Sequence, residues 1–259
     1  MNAEKRQQAI IDAVARQGRV SVVGLAADHG VTVETIRRDL AVLDRVGALR
    51  KVHGGAVAAT LALPETAVAE REHLAAPAKQ AIAARALAAL LDSATLSRGS
   101  TLILDAGTSV GALARILPED LGLTVLTSSV LTAARLAGRA GVTVRVLGGE
   151  VRGITQAAVG PEALAALAAT RVDVAVIGTN GLTSEHGLST PDPDEAAVKR
   201  AMIGAARRVV ALADATKLGQ EHLVSFADLT DVDLLVTDAV PATALSHRLT
   251  DSGTEVLTA

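Results

Sequence analysis

The sequence predicts two domains of different class: a small, mainly α-helical domain at the N-terminus and a larger α/β domain. Helical periodicity dominates residues 1–57, whereas short β-branched runs alternate with helical segments from about residue 70 onward. Charge divides the chain at the same place. Residues 1–57 carry nine Lys and Arg against six Asp and Glu, while the remainder carries 16 against 22. We therefore expect an anion-binding module at the N-terminus.

Three helices followed by a hairpin are predicted in the N-terminal domain. The helices are expected over residues 4–17, 22–29 and 33–45, and the hairpin over 49–57. Ser21 is placed to cap the second helix, Gly30 permits a tight turn, and Thr32 is placed to cap the third helix. This order of elements is that of a winged helix-turn-helix.

A helical projection divides the third helix into two faces. At about 100° per residue, the apolar stripe consists of Val33, Ile36, Leu40 and Leu43. The opposite face consists of Thr35, Arg38, Ala41, Val42 and Arg45, and Arg37 falls at the margin of the stripe. Small residues flanked by guanidinium groups fit a major groove, where side chains contact base edges and phosphates. The alternative is that Arg37 pairs with nearby acids and the other charges only solubilise the helix.

The predicted hairpin is basic. It contains Arg50, Lys51 and His53, and Gly54 and Gly55 would let its backbone approach a partner closely. A basic hairpin beside a recognition helix predicts contacts with phosphates or with the minor groove.

The larger domain, expected over residues 70–259 after a linker at 58–69, contains apolar runs of strand length. They lie at residues 101–104, 124–126, 142–147, 172–177, 208–213 and 232–237. Because helical patterns separate them, they predict a Rossmann-like parallel sheet covered on both faces. Ligands of such sheets bind outside the carboxyl ends of the strands.

Small polar residues follow these runs and form the predicted effector site. Together with two charged residues of a later helix, the candidates are Asp105, Gly107, Thr108, Ser109, Thr127, Ser128, Ser129, Gly148, Gly149, Thr179, Asn180, Gly181, Glu195, Lys199, Asp214 and Lys217. Lys199 and Lys217 would neutralise a phosphate, while Asp105 and Glu195 would accept sugar hydroxyls. Glu195 and Lys199 are also an i,i+4 pair, which would either contact the ligand or only stabilise a helix surface. Arg152 is either a ligand residue or a solvated loop residue, and we favour the second interpretation.

Composition excludes several other functions. Cysteine is absent and the six histidines are scattered, so disulfides, thiol catalysis and a zinc site are not expected, and no cofactor is predicted. Phe226 is the only aromatic residue, so no base-stacking platform can be built. The N-terminus lacks the apolar core of a signal peptide, and no apolar run reaches the length of a membrane span. A cytoplasmic protein is expected.

The N-terminal motifs resemble a known family. Residues 18–57, which include "TIRRDL" and "HGGA", are similar to the DNA-binding domain of DeoR-type bacterial transcriptional regulators. The resemblance implies a helix-turn-helix motif over about residues 20–39. It also implies contacts with a double-stranded DNA operator from Ser21, Thr32, Thr35, Arg37, Arg38, Lys51, His53, Gly54 and Gly55.

The larger domain resembles the sugar-phosphate-sensing domain of the same family. The motifs "DAGTS", "LGGEVRG", "VGPEA", "IGTNGL", "EAAVKRAMI" and "VALADATKLG" occur in order across about residues 70–237. The resemblance implies a fold similar to ribose-5-phosphate isomerase and coenzyme A transferases. "TSS" at 127–129 departs from the family's usual Thr-Asn-Ser, and this weakens the assignment of Ser128. "GLSTPDPDEAAVKRAM" looks most like the fructose-operon branch, which implies fructose 1-phosphate as effector.

These observations predict a ligand-responsive repressor that binds operator DNA as a homodimer or a higher even homo-oligomer. One alternative is a sugar-phosphate isomerase with a DNA-binding appendage, in which Asp105, Glu195 and Lys217 would carry the proton transfers. Another is a non-specific nucleoid protein, which would bind operator and random DNA equally.

Overall fold

A computed structural model describes residues 3–17, 19–45, 48–52, 54–58 and 66–259 of the chain. The chain divides into two compact units, Met1–Pro64 and Glu65–Ala259. The first unit is a winged helix-turn-helix and the second is an α/β domain on a parallel sheet, so the predicted fold class is confirmed. His53 lies outside the described residues, as does most of the predicted linker.

The first unit contains the three predicted helices and a small antiparallel sheet. The helices are α1 (Ala3–Gln17), α2 (Val22–His29) and α3 (Val33–Arg45), and the strands are β1 (Arg19–Ser21), β2 (Leu49–Val52) and β3 (Gly55–Ala58). The strand order is β1-β3-β2. The hairpin β2–β3 is therefore extended by β1, a strand of three residues that the sequence pattern did not reveal.

Local capping interactions delimit the helix-turn-helix. The Oγ atom of Ser21 accepts a hydrogen bond of 2.9 Å from the backbone N–H of Gly24. Gly30 ends α2 in the left-handed conformation with φ of 61°. The Oγ1 atom of Thr32 accepts from the backbone N–H of Thr35 at 3.2 Å. Each cap satisfies a backbone group that the helix end leaves unpaired, so the predicted turn geometry is confirmed.

A buried ion pair connects α1 to α3 beside the apolar core of this unit. Ile10 and Val14 of α1 pack with residues of α2, α3 and β2 in that core. At its margin the guanidinium of Arg6 donates to both carboxylate oxygens of Asp39, at 2.6 and 3.3 Å, and Gln7 donates to Asp39 at 3.0 Å. Burial raises the pKa of Asp39, but these hydrogen bonds outweigh burial and hold the pKa below its ordinary value.

The second unit is built on a seven-stranded sheet in which every adjacent pair is parallel. Its strands are β4 (Thr101–Leu104), β5 (Leu123–Thr127), β6 (Val142–Val146), β9 (Val172–Gly178), β12 (Ala206–Leu212), β14 (Leu234–Thr237) and β15 (Glu255–Thr258). The order across the sheet is β15-β14-β12-β9-β4-β5-β6. The first six strands match the predicted runs, and β15 was not predicted.

Helices cover both faces of this sheet, as predicted. They are α4 (Val68–His73), α5 (Ala76–Asp92), α6 (Thr108–Arg115), α7 (Val130–Leu136), α8 (Pro161–Ala168), α9 (Pro193–Gly204) and α10 (Thr243–Asp251). α5, α6 and α7 pack on one face and α8, α9 and α10 on the other, and each layer forms its own apolar core with the strands.

Two smaller sheets lie beside the main sheet, and neither was predicted. β7 (Glu150–Arg152) pairs with β8 (Ala157–Val159), and β10 (Gly181–Thr183), β11 (Gly187–Thr190) and β13 (Val224–Ala227) form an antiparallel sheet. Their strands of three or four residues are too short to produce a periodic signal.

The chain order reverses between β4 and β9, which makes this point the topological switch of the main sheet. β5 and β6 continue outward from β4, whereas β12, β14 and β15 continue outward from β9 on the other side. At such a point the loops after the two central strands diverge and leave a crevice at the carboxyl ends. The fold therefore places a ligand crevice between the loop after Leu104 and the loop after Gly178.

Replacing Asp39 by Asn should destabilise the first unit in a pH-dependent manner. We expect the free energy of unfolding to fall by about 1–3 kcal/mol at pH 7, because hydrogen bonds to a buried charge are lost. The folded-state pKa lies below the ordinary value of 3.8, so this stabilisation is present above that value and is lost as the pH falls through the folded-state pKa.

Hydrogen exchange of α1 and α3 peptides in the full chain, at pH 7 and at pH 3, measures this difference. Asp12→Asn is the matched control, because Asp12 is an exposed acid of the same unit. Equal protection in Asp39→Asn and in Asp12→Asn at pH 7 would contradict the assigned role of the pair.

Candidate functional site

The third helix presents a basic outward face. Ile36, Leu40 and Leu43 are buried in the core, as the projection predicted. Arg38 is exposed and forms no ion pair with any described residue, so its guanidinium is available to a partner. Arg37 is more open than predicted, with 58% of its side chain exposed, and it lies 3.4 Å from Glu34. The predicted alternative of pairing with a nearby acid is thus present at Arg37.

The two glycines of the hairpin have different roles. Gly54 adopts a left-handed conformation with φ of 76°, which the tight turn requires. A Cβ atom at Gly55 would lie 2.0 Å from the carbonyl oxygen of Val20. The absence of a side chain at Gly55 therefore allows close packing of β3 against β1, and its contact with DNA stays a prediction. Lys51 lies in β2, but its side chain is outside the described part of the chain.

A pocket of about 320 Å³ lies at the carboxyl ends of β4, β9 and β12, where the topology places the crevice. Nine predicted effector residues line it: Gly107, Thr108, Ser109, Thr179, Asn180, Glu195, Lys199, Asp214 and Lys217. The structure therefore brings three loops and α9 together around one cavity.

Residues from α4 and α5 also line the pocket, and sequence reasoning missed them. They are Arg71, Leu74, Ala75 and Lys79, together with Thr216 beside Lys217. The Nε and Nη2 atoms of Arg71 are buried and have no hydrogen-bond partner among the described residues. Because the prediction considered mainly residues that follow strands, a helix before the first strand of the sheet gave no signal.

Lys79 is a second buried cation of the pocket. Its Nζ atom donates to the backbone carbonyls of Arg71 at 2.6 Å and Leu74 at 2.5 Å. Burial lowers the pKa of Lys79, and the positive charges of Lys217 and Arg71 lower it further, against the opposing effect of Asp214. An ammonium group has three N–H donors, so two carbonyls leave one donor for a ligand.

Lys199 joins the ends of β4 and β9 at the switch point. Its Nζ atom donates to Asp105 and, at 3.0 Å, to the carbonyl of Gly178, while Asp105 also accepts from the N–H of Gly178 at 2.9 Å. Lys199 and Asp105 are both buried. The i,i+4 helix-surface interpretation of Glu195 and Lys199 is therefore wrong, because α9 turns both residues inward toward partners from other elements.

Arg152 holds the second carboxylate of α9 in place. Its guanidinium lies 2.5 Å from Glu195 and 3.2 Å from Asp192, and Thr155 also donates to Glu195. The prediction that Arg152 is a solvated loop residue is wrong, because β7 and the following turn place it against the start of α9. Asp192 in turn caps α9 through the N–H groups of Asp194 and Glu195.

The remaining predicted residues do not line this pocket. Its lining does not include Thr127, Ser128, Ser129, Gly148, Gly149 or Gly181, and Asp105 is connected to it through Lys199. The Oγ1 of Thr127 donates to the carbonyl of Leu104 at 2.6 Å, and Ser129 caps α7. Gly149 has φ of 123°, and Ser128 borders a much smaller cavity beside Asp105. These positions support the sheet and its turns.

Among the described residues, no three His, Asp or Glu side chains come together in a group that could hold a metal ion. None of the helices in that part of the chain combines the length and the apolar character needed to cross a membrane.

Comparison with known families agrees with this two-part arrangement. Residues 6–61 match the DeoR-like helix-turn-helix domain, and residues 75–239 match the DeoR C terminal sensor domain. The chain belongs to the DeoR family. The first match contains α2 and α3, and the second contains the loops and α9 that line the pocket.

Full-length relatives of this DeoR-family protein are named as regulators. The HTH-type transcriptional regulator GlpR of Haloferax volcanii is 34% identical over 253 residues, which cover 98% of this chain and 96% of that protein. The HTH-type transcriptional repressor GlcR of Bacillus subtilis is 32% identical over 257 residues, with 99% and 96% covered. The protein is thus a transcriptional regulator and not an enzyme, and the isomerase alternative is set aside.

Among solved structures, ribose 5-phosphate isomerase A from Neisseria gonorrhoeae is similar to part of this chain. Its TM-score is 0.35 at 12% identity, with 56% of this chain and 53% of that chain covered. A likeness at this level adds nothing to the strand order described above.

Lys199→Met should destabilise the DeoR-family sensor domain. Removing the ammonium leaves Asp105 buried without its cation, and breaking a buried pair in this way costs about 3–5 kcal/mol. A lower unfolding temperature of the full chain measures the effect. Arg200→Met is the control, since Arg200 is an exposed neighbour on α9. Equal unfolding temperatures for the two variants would refute the role given to the pair.

Proposed function

We propose that this DeoR-family protein represses a sugar-catabolism operon and that a phosphorylated sugar, bound in the pocket, weakens its binding to operator DNA. The observation that carries the proposal is that two buried guanidinium nitrogens of Arg71, Nε and Nη2, have no partner among the described residues in the pocket of the sensor domain. A buried donor without an acceptor costs about 1–3 kcal/mol. A bound anion would recover this energy.

Two features favour a phosphate as that anion. Arg71, Lys79 and Lys217 line one pocket, and the lowered pKa of Lys79 reflects burial and the repulsion among these cations. α6 also begins at the pocket with Thr108 and Ser109, so its first N–H groups and its dipole favour a negative charge there.

The rest of the pocket suits a polyhydroxylated group attached to the phosphate. Asn180 supplies an amide and Glu195 a carboxylate, and both can bind hydroxyls. Asp105 and Glu195, which the isomerase alternative required as bases, are each paired with a cation, Lys199 and Arg152 respectively. This arrangement favours binding over proton transfer.

The position of Arg71 supports a link between effector binding and DNA binding. Arg71 lies in α4, only seven residues after the end of the first unit at Pro64. An effector that binds Arg71 therefore contacts the part of the sensor domain that leads directly into the DNA-binding unit. The effector shifts operator binding only as far as its affinities for the two states differ.

DNA recognition is assigned to the outward face of α3, with Arg38 as a base-reading residue. Operators read by helix-turn-helix proteins are usually two-fold symmetric, so we propose that the protein acts as a homodimer or a higher even homo-oligomer in the cytoplasm. A non-specific DNA-binding protein would not discriminate between a selected site and random duplexes.

Fructose 1-phosphate is the effector that we propose, on the basis of the fructose-type "GLSTPDPDEAAVKRAM" stretch around Glu195 and Lys199. A thermal-shift series with fructose 1-phosphate, fructose 6-phosphate, glycerol 3-phosphate, tagatose phosphates and inorganic phosphate tests this choice. A ligand at 100 times its Kd adds about 2.7 kcal/mol of stability. Because the chain has no Trp or Tyr, the measurement needs an extrinsic dye.

Arg71→Ala should weaken binding of the stabilising sugar phosphate about 10- to 100-fold, because a charge-assisted hydrogen bond is lost. Binding of operator DNA without effector should stay unchanged. Titration calorimetry and an operator-release assay measure the two effects. Arg98→Ala is the control, since Arg98 is exposed and lies just before β4, at the amino ends of the strands and away from the pocket at their carboxyl ends. Normal effector affinity in Arg71→Ala would place the phosphate elsewhere.

Arg38→Ala should reduce affinity for the preferred operator by about 1–3 kcal/mol if Arg38 contacts a base. The operator is first obtained by in vitro selection from random duplexes with the wild-type protein. Fluorescence anisotropy with labelled DNA then compares the variant with Arg98→Ala. Operator affinity that is unaffected by Arg38→Ala would show that the outward face of α3 is not the one that reads DNA.

A further inference from the structure

We infer that Glu34 reads a cytosine in the operator, so that an acidic residue in the first turn of α3 sets part of the sequence preference. The inference rests on the proposed binding of α3 in a major groove. Glu34 is negatively charged on an otherwise basic face, and its charge opposes binding to DNA of any sequence.

Glu34 lies in the middle of the outward face of α3. With Thr35 set at 0°, a rotation of about 100° per residue places Glu34 near 260°, between Ala41 near 240° and Arg38 near 300°. The side chain of Glu34 is 62% exposed. It lies two residues after the Thr32 cap, in the N-terminal turn that reaches base edges in this class of domain.

The other acids of α3 are placed differently. Asp39 is buried and bound by Arg6, so its charge is neutralised inside the domain. Asp44 lies in the last turn, near 180° in the same projection. Glu34 is therefore the acid that would meet DNA in the first turn of α3.

A carboxylate on this face repels phosphates and lowers affinity for DNA of any sequence. It becomes favourable only where a base offers a hydrogen-bond donor. In the major groove the N4 amino group of cytosine is the donor that Glu and Asp side chains accept from. The same residue thus strengthens binding to DNA with cytosine at one position and weakens binding to DNA with any other base there. Such a difference in affinity is what specificity against competing sites requires.

Arg37 supports this geometry. Its Nη1 atom lies 3.4 Å from Oε2 of Glu34, which holds the carboxylate at the helix surface and leaves Oε1 free of this contact. A purely structural i,i+3 pair would also produce this distance, and it would stabilise α3 by about 0.2–0.5 kcal/mol. Such a pair would leave base preference unchanged, so the two roles differ in a measurable property.

In vitro selection of duplexes from a random library, with the full-length protein, tests the inference. Wild-type protein should select a motif in which one position is cytosine by about 10-fold over other bases. Glu34→Gln should change that position to adenine, because a glutamine amide both donates to and accepts from adenine in the major groove. Glu34→Ala should lose the preference at that position only.

Affinity for random DNA gives a second readout, which tests whether Glu34 faces the DNA. Both variants remove a negative charge from the DNA-facing surface, so we expect random duplexes to bind about 2- to 5-fold more tightly at low salt. Glu162→Gln is the matched control, because Glu162 is an exposed acid in the first turn of α8, in the sensor domain. Circular dichroism checks that each variant retains its helices.

The outcomes separate this inference from the proposed function. If the wild-type protein selects no motif, the proposed operator recognition fails, and the role of Glu34 fails with it. If wild type and both Glu34 variants select the same motif, the regulator stands and the inference about Glu34 is overturned. A change confined to one position, with the Glu162→Gln motif unchanged, supports it.

Discussion

The buried ion pair between Lys199 and Asp105 determines where the sensor domain can have a pocket. Asp105 follows β4 and Gly178 ends β9, and these are the two strands at which the chain order of the sheet reverses. The ammonium of Lys199 contacts both. An unpaired buried charge would be costly, so α9 must pack with Lys199 over this point. One turn earlier, the same packing brings Glu195 to the wall of the pocket.

Charged residues around the pocket fall into two groups with different roles. Asp105, Lys199, Glu195 and Arg152 have partners within the protein, and their charges are largely balanced. Arg71 retains buried donors without a partner among the described residues. Because the first group is neutralised internally, the electrostatic preference of the cavity is set by Arg71, Lys79 and Lys217 against the carboxylate of Asp214. Under the proposed function, a pocket organised in this way binds an anion and needs no acid or base of its own.

Sequence patterns predicted the features that depend on local physics. Continuous apolar runs revealed six strands of the parallel sheet, and Ser21 was recognised as a cap because its role depends on its own helix. β15 was not predicted, because it is an edge strand with exposed ends and lacks a continuous buried run. Arg71 was not predicted as a pocket residue, because only tertiary packing brings α4 to the pocket. Thr127 was placed in the site because it follows a strand, but β5 lies one position beyond the switch point, where its hydroxyl bonds to Leu104 instead.

The same limit applies to the recognition helix, where residue type alone does not determine the role of a charge. Asp39 and Glu34 are both acids of α3, yet the first is enclosed by Arg6 and Gln7 while the second stands on the outward face. Neutralising Asp39 removes its repulsion from the groove and fixes α3 against α1. Glu34 keeps its charge where bases would lie. A helix needs basic residues to be held at DNA, but their contacts with phosphates attract every sequence equally. A carboxylate on such a face is therefore informative, because its pairing with Arg37 and its place in the first turn stabilise the helix, whereas base discrimination would alter the operator preference.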